Sequence, residues 1–285
     1  MSVQDFTFAA RDGFELHATR FASTSTTSNG RAVLVASATA VPRGFYRHLA
    51  ADLAAQGHDV VTFDYRGIGD SRPSSLRGFD ARMRDWALLD MAAAVDWVQE
   101  QLQPRKLFVW GHSVGGQVAG LLDNADAIDG MATFSSQSGY WRLQGQEQVA
   151  MVGFHMHLTF PFFTSTLGYV PMSKFGGGED LPKGVAREWS RWCRHPNYLL
   201  GDTTLPLQRY QSFKAPVLAY SFDDDKWGTA RSVDAMMKAY PHLVRRHVLP
   251  RDIGLQQLGH FGAFRKDASV LWRQTVEWID TVDPL

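Results

Sequence analysis

One glycine-flanked serine constrains the fold of this chain more than any other feature. Ser113 lies in Gly-His-Ser-Val-Gly (111–115), after an apolar run at 106–110 and before a small-residue helical pattern at 114–122. This strand–turn–helix context is that of a nucleophile elbow. The turn is so tight that neighbouring side chains would collide, which favours glycine on both sides. The bare pattern also fits an ordinary surface turn, so the prediction of a reactive serine depends on partners elsewhere in the chain.

Apolar strand-like segments alternate with helical patterns along most of the chain. A hairpin at Asp12-Gly13 comes first. The later strand-like segments are 31–36, 59–63, 106–110, 131–135, 217–222 and 245–249. Several of them are continuously apolar, as in strands buried on both faces. The chain is therefore predicted to be of the α/β class, with a mostly parallel twisted sheet and helices on both faces.

The alternation breaks over 137–212, which is rich in aromatic residues, proline and glycine. We interpret this segment as a cap, or lid, inserted into one α/β domain formed by 1–136 and 213–285. Aromatic side chains above the serine would favour an apolar substrate group. Phe154, Phe160 and Trp189 are candidate substrate-binding residues, although most cap aromatics are expected to pack the cap itself.

Composition narrows the classes of partner. The 285 residues carry 29 basic and 29 acidic side chains, so the net charge of zero argues against nucleic acid or an anionic membrane as a partner. No apolar run approaches the roughly 20 residues of a membrane span. The first residues lack the basic and apolar regions of a signal peptide. With Cys193 as the single cysteine, no intrachain disulfide can form, and a cytoplasmic location is expected.

A serine nucleophile needs a general base, and the base needs a carboxylate that orients it. Two segments downstream of Ser113 carry these residue types. Three aspartates at 223–225 follow a strand directly, and His260 lies in Gly-His-Phe-Gly (259–262) between the last strand and the last helix. The carboxyl ends of parallel strands meet at one edge of the sheet, so both segments are expected near the serine. The order serine, aspartate, histidine along the chain is also the one expected when the serine occupies a nucleophile elbow.

An oxyanion formed at the serine needs two hydrogen-bond donors. The backbone N–H of Val114 is one candidate. The second is expected from the loop after the strand at 31–36, with Thr39 N–H as our choice and Ala38 or Ala40 as alternatives.

The remaining histidines suggest no metal centre. His155 and His157 are two residues apart without a third ligand at metal spacing, and His195 lies in a separate segment. We interpret these three as packing or lining residues, and His112 as pointing away from the substrate. No metal and no cofactor are predicted.

The chain resembles the α/β-hydrolase superfamily over nearly its whole length. The likeness rests on 64–71, similar to the D-x-R-G-x-G-x-S loop of that superfamily, on the elbow at 111–116, on 216–225, and on the histidine loop at 259–262. More narrowly, it is similar to bacterial hydrolases grouped with serine aminopeptidase-like and monoglyceride-lipase-like enzymes. The resemblance implies that Ser113 is the nucleophile, His260 the base and Asp225 the acid.

Two departures from the family pattern bear on these roles. Phe222 replaces the glycine that usually closes the strand before the acid, which leaves Asp224 as an alternative to Asp225. Ser37-Ala38 replaces the usual His-Gly after the third strand, so the oxyanion loop is expected to differ in shape.

These residues predict a serine hydrolase that forms an acyl-enzyme, most simply a carboxylesterase acting on a small-molecule ester with an apolar group. A peptidase acting on an amide, a thioesterase, an acyltransferase or a carbon–carbon bond hydrolase would use the same three side chains. A peptidase that binds a substrate amine needs acidic groups, for which Glu147, Glu179, Asp180 and Glu188 are available. A hypothesis of another class is a non-catalytic protein that binds a small ligand on the same fold.

Overall fold

The computed structural model describes residues 2–23 and 29–283. Its strands are β1 (Val3–Ala9), β2 (Glu15–Phe21), β3 (Arg31–Ala36), β4 (Asp59–Phe63), β5 (Lys106–His112), β6 (Gly130–Phe134), β7 (Tyr169–Val170), β8 (Leu181–Pro182), β9 (Val217–Phe222) and β10 (Leu243–Val248). Within these ranges, all strands except β7 and β8 form one sheet in the order β1-β2-β4-β3-β5-β6-β9-β10. In this sheet, β3, β4, β5, β6, β9 and β10 run parallel to one another, whereas β2 pairs antiparallel with both β1 and β4.

Outside 137–212, helices follow the parallel strands of the large sheet, as the alternating pattern predicts. The α-helices are α1 (Arg47–Ala55), α2 (Met83–Asp85), α3 (Ala92–Leu102), α4 (Val114–Val118), α5 (Gln146–Phe154), α6 (Phe160–Thr166), α7 (Lys183–Arg194), α8 (Gln208–Gln211), α9 (Ala230–Met237) and α10 (Ser269–Val282). Residues 83–102 form one continuous helix, which contains a π-helical segment at Trp86–Met91 between α2 and α3. No helix in the described part of the chain is both long and apolar enough to cross a membrane.

The sheet separates two apolar layers. On one face, residues of α3, α4 and α9 such as Val98, Val118 and Met236 pack against the strands. On the other face, α1 and α10 contribute Leu53 and Leu271. All six residues of β3 are buried, so both faces of this strand are covered. This explains the continuous apolar run that follows Arg31. The α/β class with helices on both faces is therefore confirmed.

Residues 137–212 connect β6 to β9 and contain α5 to α8 together with the small β7–β8 sheet. Partly buried ion pairs join this segment to the rest of the chain, since Arg84 contacts both Glu188 of α7 and Asp202. The Glu179 N–H also donates to the Ala40 carbonyl at 2.9 Å, next to the carboxyl end of β3. The division of the chain into a core and a cap stays a prediction.

Candidate active site

Ser113 occupies a sharp turn at the carboxyl end of β5. Its backbone has φ +50° and ψ −114°, a conformation that residues with a side chain rarely adopt. The Ser113 N–H donates to the carbonyl of Phe134 at 2.9 Å, so the end of the neighbouring β6 supports the turn. The serine is therefore held in a strained backbone position between β5 and α4, as the elbow pattern predicts.

The surrounding glycines allow α4 to pack against the sheet. A Cβ on Gly115 would lie 2.2 Å from the carbonyl oxygen of Ala36 at the end of β3. A Cβ on Gly116 would lie 2.3 Å from the Ser136 hydroxyl, and one on Gly111 would lie 2.4 Å from the Gly116 nitrogen. Any side chain at these positions would push the helix away, so the close approach explains the glycines on both sides of the serine.

His260 and Asp225 form a buried pair at the same edge of the sheet. His260 Nδ1 lies 2.9 Å from Asp225 Oδ2, and the aspartate side chain is fully buried. Asp225 follows β9, and His260 lies in the loop between β10 and α10. The pair leaves Nε2 of the imidazole as the nitrogen that can take a proton from a nucleophile.

Backbone and side-chain donors surround Asp225. The Ser135 hydroxyl donates to Oδ2 at 2.6 Å, and the N–H groups of Trp227 and Gly228 donate to Oδ1 at 2.9 and 2.8 Å. Burial by itself raises the pKa of the carboxyl group, but attraction to His260 and these hydrogen bonds outweigh it and lower the pKa to about 2. Asp225 therefore stays ionised at neutral pH.

Asp224 binds the backbone of the histidine loop instead of the imidazole. Its carboxylate accepts hydrogen bonds from the N–H groups of Leu258 at 2.8 Å and Gly259 at 3.0 Å. The two adjacent aspartates thus contact the same loop differently, Asp224 through the main chain and Asp225 through the His260 ring. This geometry favours Asp225 over Asp224 as the orienting acid.

The Ser113 hydroxyl is turned away from His260. Its Oγ donates to Oε1 of Gln137 at 3.4 Å, a long and weak contact. Among the described residues no hydrogen bond joins Ser113 to His260. A rotation about the first side-chain torsion of the serine brings the hydroxyl to another staggered position, and catalytic hydrogen bonds often shorten only when substrate binds.

Two of the expected oxyanion donors lie beside the serine. Val114 is the first residue of α4, so its N–H has no acceptor within the helix. Thr39 lines the same cavity as Ser113, and its N–H has no acceptor among the described residues. The N–H of Ala38 is already bonded to the Tyr46 hydroxyl at 2.9 Å, which removes one alternative. Ala40, at φ +62°, stays the other alternative to Thr39.

The cavity at Ser113 is small, about 20 Å³, or roughly the space of one water molecule. Trp189, one of the three candidate aromatics, lines it. Phe160 is buried against Trp189 behind the wall, and Phe154 is 57% exposed, so the structure places neither in the lining. The lining consists of Thr39, Ser113, Gln117, Gln137, Gly139, Gln144, Val152, Met156, Trp189, Cys193, Tyr198 and Trp227.

The three histidines of 137–212 form hydrogen bonds with residues close to them in the sequence. His155 contacts the Thr159 hydroxyl, His157 contacts the Gly153 carbonyl, and His195 accepts from the Asn197 N–H. In the ranges that the structure describes, no three histidine, cysteine or acidic side chains are grouped to hold a metal ion.

Sequence reasoning missed several residues of this site. Ser135 and Gln137 carry no motif of their own, and the one available signal was their position directly after β6, at the edge where the other groups meet. Tyr46 directly precedes α1, and its local sequence gives no indication that its hydroxyl reaches His112, the residue before Ser113.

Part of the amino-acid sequence is similar to known proteins. A family model described as the alpha/beta hydrolase fold matches residues 35–151. The lysophosphatidylserine lipase ABHD12 of Danio rerio is 41% identical over 68 residues, and that of Gallus gallus is 40% identical over 68 residues. This match covers 24% of the present chain and only 16% of the length of either relative.

Solved structures are similar over nearly the whole chain. The esterase domain of a Rhodothermus marinus protein has a TM-score of 0.62 at 17% identity, with 98% of each chain covered. A Pyrococcus furiosus esterase has a TM-score of 0.63 at 16% identity, with 98% of this chain and 91% of that chain covered. The sheet order, the elbow and these matches define an α/β-hydrolase fold. The chain therefore has the α/β-hydrolase fold, as its motifs predict.

Proposed function

We propose that the protein is a serine hydrolase, and that it acts as a carboxylesterase on a small-molecule ester with an apolar group. The observation that carries this proposal is the buried His260–Asp225 pair at 2.9 Å, at the sheet edge where Ser113 occupies the elbow. The similar proteins are named as esterases and lipases, which agrees with this proposal.

In the proposed reaction, Nε2 of His260 takes the proton of the Ser113 hydroxyl as the oxygen attacks the ester carbonyl. The Asp225 carboxylate holds the ring in the required tautomer and stabilises the imidazolium. The N–H groups of Val114 and Thr39 bind the oxyanion of the tetrahedral intermediate. Collapse releases the alcohol with the proton from His260, and water activated by the same histidine then hydrolyses the acyl-enzyme.

The cavity wall supports an apolar substrate group. Val152, Met156, Trp189 and Trp227 all line the space next to Ser113, and their burial of an acyl or alcohol chain would supply binding energy. Because the cavity holds only about one water molecule, side chains of this wall must shift when a substrate enters.

The acidic groups that an aminopeptidase would need are engaged elsewhere, which favours the esterase. Glu188 pairs with Arg84, Asp180 with Arg72, and Glu147 with Lys226, while Glu179 accepts from the Gly69 N–H. Each of these four carboxylates therefore already has a partner outside the cavity at Ser113.

A fluorophosphonate probe tests the proposal, because it reacts with an activated serine. The purified chain should become labelled, and Ser113→Ala should abolish the labelling. A series of p-nitrophenyl esters from acetate to decanoate, with aminoacyl amides alongside, identifies the group that is cleaved. Hydrolysis of amides alone would contradict the esterase. No labelling together with retention of an apolar ligand would favour the non-catalytic binding protein.

A further inference from the structure

Three glutamine side chains line the cavity at Ser113, although an apolar substrate alone would need none of them. Gln117, Gln137 and Gln144 are all at least nine-tenths buried. Buried amides cost free energy unless their donors and acceptors are paired. The amide atoms that lack a partner therefore indicate which hydrogen-bonding groups a bound molecule must supply.

A chain of hydrogen bonds fixes the amide of Gln137. The Tyr198 hydroxyl donates to Gln117 Oε1 at 3.0 Å, so the nitrogen of that amide faces Gln137. Gln117 Nε2 donates to Gln137 Oε1 at 3.5 Å, and the Ser113 hydroxyl donates to the same oxygen at 3.4 Å. The Gln137 oxygen is thus directed toward the nucleophile and loses one of its two donors when Ser113 turns to His260.

Gln144 has an oxygen without a partner. Its Nε2 donates to the backbone carbonyls of Ser138 and Tyr140, both at 3.4 Å. The reverse orientation would place the amide oxygen against those carbonyls, so the nitrogen must stay there. Gln144 Oε1 is buried and has no hydrogen-bond partner among the described residues. An unpaired acceptor in a substrate cavity is expected to be satisfied by a donor on the substrate.

The donor is expected to be neutral. Every residue that lines the cavity is uncharged, so an ammonium group would lose its hydration without gaining a counter-ion. A hydroxyl group is small and needs a single acceptor.

We propose that the substrate is a hydroxylated ester, with a hydroxyl group near the scissile carbonyl that donates to Gln144 Oε1. Gln137 Oε1 accepts a second donor once the serine has turned. This inference rests on the proposed esterase function and specifies its substrate class. The same acceptor serves a hydroxyl on the acyl part or on the alcohol part, and the test separates the two.

Two isosteric pairs of esters test this, with acid release followed by pH-stat. Methyl 3-hydroxybutanoate, as separate enantiomers, is compared with methyl 3-methylbutanoate for the acyl part. 2-Hydroxyethyl butanoate is compared with propyl butanoate for the alcohol part. In one of the pairs, kcat/KM for the hydroxylated ester should exceed that of its isostere by about tenfold or more.

Gln144→Leu should bring that ratio to about one while the isostere is still cleaved, and Gln144→Met serves if the leucine variant does not fold. Gln148→Leu is the matched control, because Gln148 also has a buried Oε1 without a partner in the described ranges but lies outside the cavity lining, so the ratio should not change. Isosteres cleaved as fast as both hydroxylated esters, or a ratio that survives Gln144→Leu, would overturn the inference. Failure of the esterase proposal itself looks different, because no ester would be cleaved and no fluorophosphonate would bind.

Discussion

The Tyr46 hydroxyl lies 2.8 Å from Nδ1 of His112, the residue before the elbow serine. His112 Nε2 is 2.9 Å from the carbonyl oxygen of His260, which can only accept, so the proton of the ring is on Nε2. Nδ1 therefore accepts from Tyr46, whose oxygen in turn accepts from the Ala38 N–H. Burial, with repulsion from His260 as a second cause, lowers the pKa of His112 well below its usual value, so the ring stays neutral. One buried chain of hydrogen bonds thus joins the loop of Thr39 to the backbone of His260.

Removal of the Tyr46 hydroxyl should reduce turnover more than substrate binding. Tyr46→Phe leaves the Ala38 N–H and His112 Nδ1 unpaired, so the Thr39 loop and the His260 loop lose their common support. We expect kcat to fall by roughly tenfold with KM changed less than about twofold, measured on the best p-nitrophenyl ester. Tyr65→Phe is the control, since among the described residues the Tyr65 hydroxyl forms a hydrogen bond only with the Met91 sulfur, at 4.0 Å. An equal loss in both variants would show a general effect of core packing.

The two adjacent aspartates should differ in their effect on catalysis. Asp225→Asn removes the charge that stabilises the imidazolium, and kcat should fall by about 10⁴-fold. Asp224→Asn keeps one acceptor for the backbone of the histidine loop, so kcat should fall less than about tenfold. Steady-state kinetics of both variants on one ester measures the difference. The reverse order of effects would assign the orienting role to Asp224.

The hydroxyl group that supports Asp225 should matter for activity. Ser135→Ala removes the donor 2.6 Å from Asp225 Oδ2, the oxygen that also faces His260. With less stabilisation of its anion, the pKa of Asp225 rises, and kcat/KM should fall by about 10-fold. Ser136→Ala is the neighbouring control, because the buried Ser136 Oγ has no hydrogen-bond partner in the described ranges. If both alanine variants keep full activity, Ser135 has no positioning role.

Asp225 should also make the free energy of unfolding depend on pH. Its pKa is about 2 in the folded chain and 3.8 in the unfolded reference, so ionisation favours the folded state. This contribution, on the order of 2 kcal/mol, is fully present above about pH 4 and is lost as pH falls toward about 2. Urea unfolding at pH 6 and pH 3 should show a larger loss for the wild type than for Asp225→Asn. Equal losses would mean that the pKa of Asp225 is not depressed.

The core of the fold was predictable because its signals are local. Continuous apolar runs mark the parallel strands, and Asp12-Gly13 marks the first hairpin. The carboxyl ends of those strands then bring 223–225 and His260 to the edge where Ser113 lies. The position of these residues along the chain and the topology of a parallel sheet are enough to predict that they lie close together.

The finer parts of the site depend on contacts between distant segments, which periodicity does not report. Ala38 could not be separated from Thr39 as a donor, because the Tyr46 hydroxyl that binds Ala38 comes from another element. The aromatic count of 137–212 also gave no distinction between Trp189, which lines the cavity, and Phe154, which faces solvent. In a segment without α/β alternation, the sequence does not distinguish an aromatic residue that lines the cavity from one that packs in the core or faces solvent.

Within the described residues, no hydrogen bond to the side chains of Asp225 and His260, or to the loop backbone at 258–260, comes from residues 137–212. Asp224 binds the backbone of that loop, Asp225 binds the ring, and His112 binds the carbonyl. Substitutions in much of 137–212 are therefore expected to leave the Asp225–His260 pair undisturbed. Under the proposed mechanism, the same pair would then serve related chains that differ in the molecules they bind, so substrate range can diverge faster than chemistry.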